Sequence, residues 1–241
     1  MIRFYAPDIE QTLTLPESDS QHCIRVLRMH IGDEIEVVDG RGRLFQCRIA
    51  DGHPKRTRLE IVGRSELPKV WTPRITVGIA PTKHLDRMEW LMEKLVEIGI
   101  DRIVPLLCRH SERRELKTER LEKIAVSAMK QSLKAILPEI RPMTPIAAFL
   151  EEERSAGGDT CRYICYCDAN TGRRLLAADY RPGADATILI GPEGDFSPGE
   201  VEAAFNAGFL PATLGDNRLR TETAALVACD TIHIVNQRFN S

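Results

Sequence analysis

The sequence predicts an α/β protein in which a small β-rich domain precedes a larger domain built on a mostly parallel sheet. Short runs of alternating polarity with turn signals occupy the first 66 residues, which is typical of short strands. From residue 74 onward, apolar runs alternate with helical patterns, the order that produces a parallel sheet covered on both faces. Residues 63–73 contain two prolines, one glycine and mixed polarity, as linkers do. We therefore divide the chain into domains 1–70 and 71–241.

The first domain is predicted to contain five short strands and one helix. We expect the strands at residues 3–5, 13–15, 34–38, 44–49 and 58–62. Asp39-Gly40 and Gly42 indicate a hairpin between the third and fourth strands. Ser18 and Gln21 fit a capping box at the start of a helix that turns three apolar residues inward, Cys23, Val26 and Leu27.

The second domain is predicted to alternate five strands with five helices. The strands are expected at residues 75–80, 102–107, 162–167, 187–190 and 210–214. The helices are expected at residues 84–98, 118–136, 145–153, 198–207 and 221–237. Gly99 fits the C-cap of the first helix, and Thr144 the N-cap of the third, with Pro145 in its first turn. Ser197 and Glu200 fit a capping box at the start of the fourth helix.

Composition favours a soluble globular protein and leaves an RNA partner open. Of the 241 residues, 43% are hydrophobic and 28% charged, which are ordinary proportions, and the net charge is only -2. Residues 41–64 nevertheless hold seven basic against two acidic side chains, and residues 109–134 hold eight against four. Such runs are often plain solvated faces, but they also suit RNA held through its phosphates. With no apolar run of membrane-spanning length and no signal-peptide layout, we expect no membrane association and a cytoplasmic location.

The seven cysteines do not indicate a metal site. Their number is odd, and a chain of this size does not depend on disulfides. Cys161, Cys165 and Cys167 cluster, but they lack the paired spacing of a zinc site and occupy alternate positions of an apolar strand. We therefore expect them to be core cysteines and expect no bound metal.

Two strand-loop-helix units between residues 188 and 225 carry most of the functional information. In the first loop, Gly191 and Gly194 allow close approach of the backbone, Pro192 lacks an amide donor and Glu193 adds negative charge. A phosphate site needs the opposite, so this loop favours a neutral or cationic ligand with hydroxyls, such as an adenosine bearing a sulfonium. The second loop leads through Arg218 and Arg220 into a helix that begins Thr221-Glu222-Thr223. Both loops follow strands, where α/β sheets bind ligands, although ordinary capped turns with surface arginines would look similar.

Together, these motifs resemble the RsmE family, SPOUT-class (α/β-knot) methyltransferases that transfer a methyl group from S-adenosylmethionine to N3 of a uridine in 16S rRNA. The resemblance covers nearly the whole chain. It is carried in the second domain by residues 190–194 and 196–197, by Leu214-Gly215 and by residues 219–224. Further matches are His22 to Arg28, Gly32-Asp33, residues 39–42, Lys83, residues 89–99, Gln131-Ser132 and Pro138-Glu139.

The resemblance implies a trefoil-knotted SPOUT methyltransferase domain preceded by a PUA-like β-barrel domain that binds rRNA. It implies S-adenosylmethionine as cofactor, the assembled 30S subunit as substrate and a homodimer as the working form, in ribosome biogenesis. The residues implied to bind the cofactor are Ile190, Gly191, Pro192, Glu193, Gly194, Leu214, Gly215 and Leu219. The residues implied to contact RNA are Arg25, Arg28, Arg43, Lys83, Lys94 and Gln131. Of these, Arg25 and Arg28 share with His22 one face of the predicted helix, where His22 is expected to be structural.

Two residues of the second loop are the catalytic candidates that the resemblance suggests. Arg220 would hold the uracil carbonyl oxygens and stabilise the N3 anion, as fixed cations do for developing charge. Glu222 would orient Arg220 or accept the proton, and a plain role in helix capping is an equal alternative. The motifs offer no histidine as a base.

Several positions depart from the family pattern. Asp195 stands where the family usually has a second glycine, His110 where it has arginine, and Asn217-Arg218 where it has Arg-Ile. Ser132-Leu133-Lys134 replaces the usual Ser-Gly-Arg. Two alternatives therefore stay open. One is a SPOUT methyltransferase acting on another RNA such as tRNA, and the other is a non-catalytic RNA-binding ribosome-assembly factor, which failure to bind the cofactor would support.

Overall fold

The computed structural model describes residues 2–167, 172 and 174–239. The chain divides into two compact units. The first comprises Met1–Val70 together with Ala125–Leu137, and the second comprises Trp71–Ile124 together with Pro138–Ser241. Within the described ranges, no helix is long and apolar enough to cross a membrane.

The first unit is organised around a four-stranded sheet in the order β1-β2-β3-β4. β1 runs parallel to β2, and the other neighbours are antiparallel. Its core packs Phe4, Val37, Phe45 and Ile49, all fully buried. The elements are β1 (Arg3–Tyr5), α1 (Ile9–Thr12), α2 (Glu17–Gln21), a π-helical turn (His22–Val26), β2 (Glu34–Val38), β3 (Arg43–Asp51) and β4 (Arg58–Glu66).

The predicted strand at residues 13–15 is wrong. Thr14 forms only an isolated bridge with Arg58, and Leu13 has a left-handed φ of 50° that ends α1. The hairpin between β2 and β3 is confirmed, with Gly40 and Gly42 at φ values of 79° and 97°. These are conformations that glycine adopts without the steric cost other residues meet.

The predicted helix around residue 22 is only partly correct. It starts after Pro16 rather than at Ser18, and it widens into a π-helical turn in which the amide of Leu27 donates to the His22 carbonyl at 3.0 Å. The extra residue per turn rotates the following side chains, so Val26, predicted to face inward, is 66% exposed. Arg28 then leaves the helix with a φ of 56°, so the single helical face predicted for His22, Arg25 and Arg28 does not form.

The second unit is built on a parallel sheet in the order β10-β12-β9-β11-β5-β6-β7, with β8 also pairing with β6. Its strands are β5 (Ile75–Ile79), β6 (Arg102–Leu107), β7 (Glu139–Ile140), β8 (Thr144–Pro145), β9 (Cys161–Cys165), β10 (Arg174–Leu175), β11 (Ala186–Ile190) and β12 (Leu210–Thr213). Its helices are α3 (Leu85–Ile98), α4 (Thr118–Gln131), α5 (Ile146–Ala156), α6 (Leu176–Asp179), α7 (Pro198–Asn206) and α8 (Thr221–Phe239). The end of α4 belongs to the first unit.

Most predicted elements of the second domain are confirmed to within a few residues. The capping box of Ser197 and Glu200 is present at the start of α7, and Gly99 ends α3 with a φ of 115°. The predicted helix cap at Thr144 is wrong. Thr144 lies in β8, where it pairs with Leu106 of β6, and α5 begins only after Pro145. A two-residue strand has too short a pattern to be recognised in the sequence.

A buried ion pair lies near the amino ends of the central strands. The guanidinium of Arg102 binds Glu153 and donates at 2.9 Å to Glu152. The other oxygen of Glu153 accepts from the Thr187 hydroxyl at 2.9 Å. The Arg102 and Glu153 side chains are only 9% and 6% exposed, so loss of Glu153 leaves the buried Arg102 guanidinium with the more exposed Glu152 as its remaining carboxylate partner.

We therefore expect Glu153→Ala to be strongly destabilising. Removing one partner of a buried pair costs about 3–5 kcal/mol in the free energy of unfolding, and we expect the lower end of that range because Arg102 keeps Glu152. The matched control is Glu151→Ala, which removes an exposed pair with Arg154 from the same helix and should cost under about 1 kcal/mol. Urea unfolding of both variants measures the difference, and equal midpoints would contradict this account of the pair.

Candidate functional site

A cavity of about 380 Å³ opens at the carboxyl ends of three neighbouring strands, β12, β9 and β11. Ile190 lies beside Cys165 in the register of the sheet, and Cys165 beside Ala212, so the loops that follow converge. The cavity is lined by Cys165, Tyr166, Cys167, Ile190, Gly191, Pro192, Glu193, Asp195, Ala212, Thr213, Leu214, Gly215, Asn217, Arg218, Leu219, Arg220, Thr221 and Ala224. The site is therefore built from three loops rather than the two predicted.

The loop after β11 is tightly packed. A Cβ added at Gly191 would lie 3.1 Å from the ring of Phe196, closer than side chains normally pack. Glu193 accepts a hydrogen bond from the amide of Lys83 at 3.1 Å, so this carboxylate also holds the loop that precedes α3. Gly194 lies in the same turn but outside the cavity wall, where a Cβ would lie 3.1 Å from the Cβ of His110.

The loop after β12 places two arginines at the cavity. Gly215 has a φ of 115°, a conformation that strains any residue with a side chain, and its amide lies 3.3 Å from the Thr213 hydroxyl. Arg218 and Arg220 are exposed and line the wall. The amide of Ala224 donates to the Arg220 carbonyl at 2.8 Å, which fixes Arg220 at the start of α8.

Glu222 is buried and is not among the residues that line the cavity. Its Oε1 lies 3.8 Å from Nε of Arg87 in α3, and its Oε2 is buried without a hydrogen-bond partner among the described residues. Arg220, which the sequence suggested as its partner, lines the cavity, whereas Glu222 does not. A buried carboxylate oxygen without a donor is costly to the folded state.

The structure brings most predicted cofactor residues together and adds others. Seven of the eight line the cavity, and Gly194 is adjacent to it. Sequence reasoning missed the loop after β9, which supplies Tyr166 and Cys167, and also Thr213, Thr221 and Ala224. The expectation that Cys161, Cys165 and Cys167 are core residues is wrong, because the first two are only partly buried and Cys167 is exposed. The strand 162–167 was predicted, so applying to it the rule that ligands bind at carboxyl ends would have found Tyr166 and Cys167. Within the described ranges, no cluster of histidine, cysteine and carboxylate side chains has the arrangement of a metal site.

The predicted RNA-contacting residues differ in how free their charges are. In the first unit, Arg25, Arg28 and Gln131 are exposed. Arg43 is bound to Asp39 and Glu10 and lies over the ring of Phe45 at 5.6 Å. Burial would raise the pKa of Asp39, but hydrogen bonds from the Arg41 amide and from Arg43 lower it overall.

In the second unit, Lys83 and Lys94 both lie beside carboxylates. Lys83 pairs with Glu112 at 3.1 Å, and its side chain is 67% exposed. Lys94 binds Glu93 at 2.6 Å and Glu97 at 3.0 Å, and these bonds raise the pKa of its amine. Lys83 therefore keeps more of its side chain accessible to a partner than Lys94.

The basic run at residues 41–64 is largely neutralised by carboxylates from other parts of the first unit. Five of its seven basic side chains have such partners: Arg41 with Asp8, Arg43 with Glu10, Arg48 with Glu34, Lys55 with Glu17 and Arg64 with Glu10. Composition therefore overstated the positive charge of this segment. Arg25 and Arg28 lie outside it, and among the described contacts neither has a carboxylate partner.

Comparison with known proteins identifies the family. Residues 70–233 match the family model of the RNA methyltransferase domain, and residues 15–62 match that of the RNA methyltransferase PUA domain. The chain is 30% identical over 232 residues to ribosomal RNA small subunit methyltransferase E of Synechocystis sp., covering 93% of this chain and 74% of the relative. The chain belongs to the RsmE family of RNA methyltransferases. The predicted resemblance and enzyme class are thereby confirmed.

Two solved structures share the fold of this RsmE-family chain. A probable rRNA-methyltransferase from Porphyromonas gingivalis is 50% identical with a TM-score of 0.92, covering 99% of this chain and 100% of that one. Ribosomal RNA small subunit methyltransferase E from Neisseria gonorrhoeae, crystallised bound to S-adenosyl methionine, is 28% identical with a TM-score of 0.84, covering 98% of each chain. The predicted α/β fold class with an N-terminal PUA-like domain is confirmed, and the parallel strand order is consistent with the SPOUT knot.

Proposed function

We propose that this chain transfers a methyl group from S-adenosylmethionine to N3 of a specific uridine in small-subunit (16S) rRNA, on the assembled 30S subunit. The observation that carries the proposal is the three-loop cavity at the ends of β12, β9 and β11, with Arg220 in its wall. Membership of the RsmE family and the relative crystallised with S-adenosyl methionine support the same cofactor and class of substrate.

The chemistry of the cavity wall fits this cofactor. Its volume lies in the range of small-molecule sites, and its charged lining residues are Arg218 and Arg220 from the loop after β12 and Glu193 and Asp195 from the loop after β11. The two carboxylates make the loop after β11 unsuited to a phosphate and suited to a cation. The backbone of Gly191, Leu214 and Gly215 would bind adenine and ribose, where a side chain at either glycine would be strained or crowded. When bound, S-adenosylmethionine supplies an electrophilic methyl group on a sulfonium, a good leaving group.

The catalytic roles fall to Arg220 and Glu222. Arg220 is exposed at the cavity, so its guanidinium can hold the uracil carbonyl oxygens and stabilise the negative charge left on N3 when the proton departs. For Glu222 we keep two roles open, acceptance of this proton and holding the start of α8 in place. Its burial beside Arg87, outside the cavity wall, favours the second role. Uracil pairs through N3, so the target base must be unpaired or turned out of its stack.

The first unit is the proposed RNA-binding part of the protein. We assign residues 1–70 as a PUA-like RNA-binding domain and residues 71–241 as the methyltransferase domain, with the segment Ala125–Leu137 packing in the first unit. Arg25 and Arg28 are the leading phosphate contacts, with Lys83, Lys94 and Gln131 as further candidates. Arg43 is a weaker one because two carboxylates already bind it. A homodimer acting in the cytoplasm completes the proposal.

Loss of Arg25 and Arg28 is expected to weaken binding to 30S subunits in a salt-dependent way. The variants are Arg25→Ala and Arg28→Gly, the latter because glycine suits the φ of 56°. The binding constant K falls as salt rises, so a plot of log K against log salt concentration has a negative slope. Each lost phosphate contact should make this slope shallower by about 1. Arg154→Ala removes an equal, exposed charge from α5 and should bind like wild type. Filter binding at several salt concentrations measures the slopes, and an unchanged slope in the double variant would rule out this contact surface.

A transfer assay tests the proposed substrate. Labelled S-adenosylmethionine is offered with undermethylated 30S subunits, with the naked rRNA, or with tRNA. Transfer to 30S subunits alone is the expected result. Transfer to tRNA would favour a SPOUT methyltransferase with a different substrate, and cofactor binding without transfer to any of the three would contradict the proposed substrate. Failure to bind the cofactor at all would favour a non-catalytic assembly factor.

A further inference from the structure

Asp195 holds a backbone conformation that few residues other than glycine adopt. Its φ is 61°, in the left-handed region that a Cβ disfavours. Aspartate tolerates this region better than most residues because its short carboxylate can bond nearby amides. Here Oδ1 accepts from the Phe196 amide at 2.8 Å, and the Asp195 amide donates to the Pro192 carbonyl at 2.9 Å, closing the turn of residues 192–195.

The remaining polar groups of Asp195 connect this turn to two other loops. Its Oδ2 accepts from the amide of Cys167 at 2.8 Å, just beyond the end of β9. Its carbonyl lies 3.0 Å from Nδ1 of His110, which follows β6. Both carboxylate oxygens, the amide and the carbonyl of Asp195 therefore have partners, and these belong to three different loops.

His110 completes the connection from the other side. Its Nδ1 lies 3.1 Å from the Gly194 carbonyl as well as 3.0 Å from that of Asp195. Carbonyl oxygens only accept hydrogen bonds, so Nδ1 must carry the proton. The segment that presents His110 is itself closed, because the Ser111 amide donates to the Cys108 carbonyl at 3.1 Å and the Cys108 amide to the Ser111 hydroxyl at 3.0 Å.

We propose that Asp195 and His110, here called the Asp195–His110 pair, are positioning residues that fix the loop after β11 in the conformation that lines the cavity. The inference rests on the proposed cofactor. The two residues are in direct contact with each other, and His110 also contacts the carbonyl of Gly194 in the same turn. When the pair is broken, the turn of residues 192–195 samples other conformations, so the apparent cofactor affinity falls with the population of the competent one.

The pair therefore acts on cofactor affinity and not on the chemical step. In Asp195→Gly, glycine suits the φ of 61°, so the variant should fold, but the bonds to Cys167 and Phe196 are lost. We expect the dissociation constant and KM for S-adenosylmethionine to rise about tenfold with kcat nearly unchanged, as for a lost bond to a charged group. Asp195→Ala should bind S-adenosylmethionine more weakly still, because alanine is strained at this φ. Asp195→Asn should recover part of the lost affinity, because asparagine tolerates this φ and keeps one acceptor oxygen.

His110→Ala provides the second side of the test. It should weaken cofactor binding by a comparable factor. In the double variant with Asp195→Gly, the affinity should fall by less than the product of the two single factors, because each substitution alone already frees the same loop. The matched control for the charge lost in Asp195→Asn is Glu202→Gln, which removes an exposed carboxylate from α7. This variant should bind S-adenosylmethionine as wild type does. Hydrogen exchange of the amides of residues 191 and 193–196 should be faster in Asp195→Gly without cofactor.

Calorimetric titration of wild type and variants with S-adenosylmethionine distinguishes the possible failures. If wild type does not bind, the proposed function and the positioning role are overturned together. If wild type binds and Asp195→Gly binds equally well, the positioning role alone is overturned. A fall in kcat at unchanged affinity would equally contradict it, because the pair would then act on the chemistry.

Discussion

Replacing Arg220 with alanine is expected to lower kcat for methyl transfer by about 10²- to 10³-fold, the usual cost of removing one group that stabilises developing negative charge. The exposed guanidinium lies in the cavity wall at the start of α8, where we propose that it contacts the carbonyl oxygens of the target base. The affinity for S-adenosylmethionine should stay within about threefold of wild type, because backbone groups, rather than this side chain, are assigned to adenine and ribose.

Single-turnover transfer and equilibrium binding, measured on the same preparation, separate the two effects. Arg238→Ala removes an equal charge from the exposed far end of α8 and should retain the wild-type rate. Simultaneous loss of cofactor binding in Arg220→Ala would mean that Arg220 holds the cofactor and has been given the wrong role.

Introducing a leucine at Gly191 is expected to abolish cofactor binding. Even a Cβ would lie 3.1 Å from the Phe196 ring and 3.3 Å from Oδ1 of Asp195, so the rest of the side chain must enter the cavity or displace the loop. Either outcome should weaken binding by more than about 100-fold, since inserting methylenes into a packed site costs about 1–3 kcal/mol and the occupied volume is lost as well.

The matched control for this variant is Gly199→Leu. Gly199 lies in the first turn of α7, its φ is not left-handed, and a Cβ there meets nothing within 4 Å. Thermal melting shows whether each variant folds, and calorimetry gives the affinity. Unchanged affinity in Gly191→Leu would mean that the cofactor site lies elsewhere.

The elements of the second domain could be predicted because their signals are local. The five strands 75–80, 102–107, 162–167, 187–190 and 210–214 are apolar runs, and their positions agree with the structure to within a few residues. The capping box of Ser197 and Glu200 needs only four consecutive residues. The π-helical turn at His22–Val26 and the two-residue strands β7, β8 and β10 leave no comparable pattern.

The parts of the site that the sequence could not supply depend on contacts between distant residues. The bond from the Cys167 amide to Asp195 spans 28 positions, and that from His110 to Asp195 spans 85. The approach of Arg87 to Glu222 likewise joins two helices far apart in the chain. Propensity and periodicity describe neighbours along the chain, so Arg220 appeared the natural partner of Glu222. The packing of Ala125–Leu137 in the first unit is long-range in the same sense.

The most direct test of the central claim is the identity of the methylated nucleoside. Undermethylated 30S subunits are incubated with the protein and S-adenosylmethionine, the rRNA is digested, and the nucleosides are separated and identified by mass spectrometry. The account predicts N3-methyluridine, formed by wild type and lost in Arg220→Ala. A different methylated nucleoside, or no methylated product from a preparation that binds the cofactor, would contradict it.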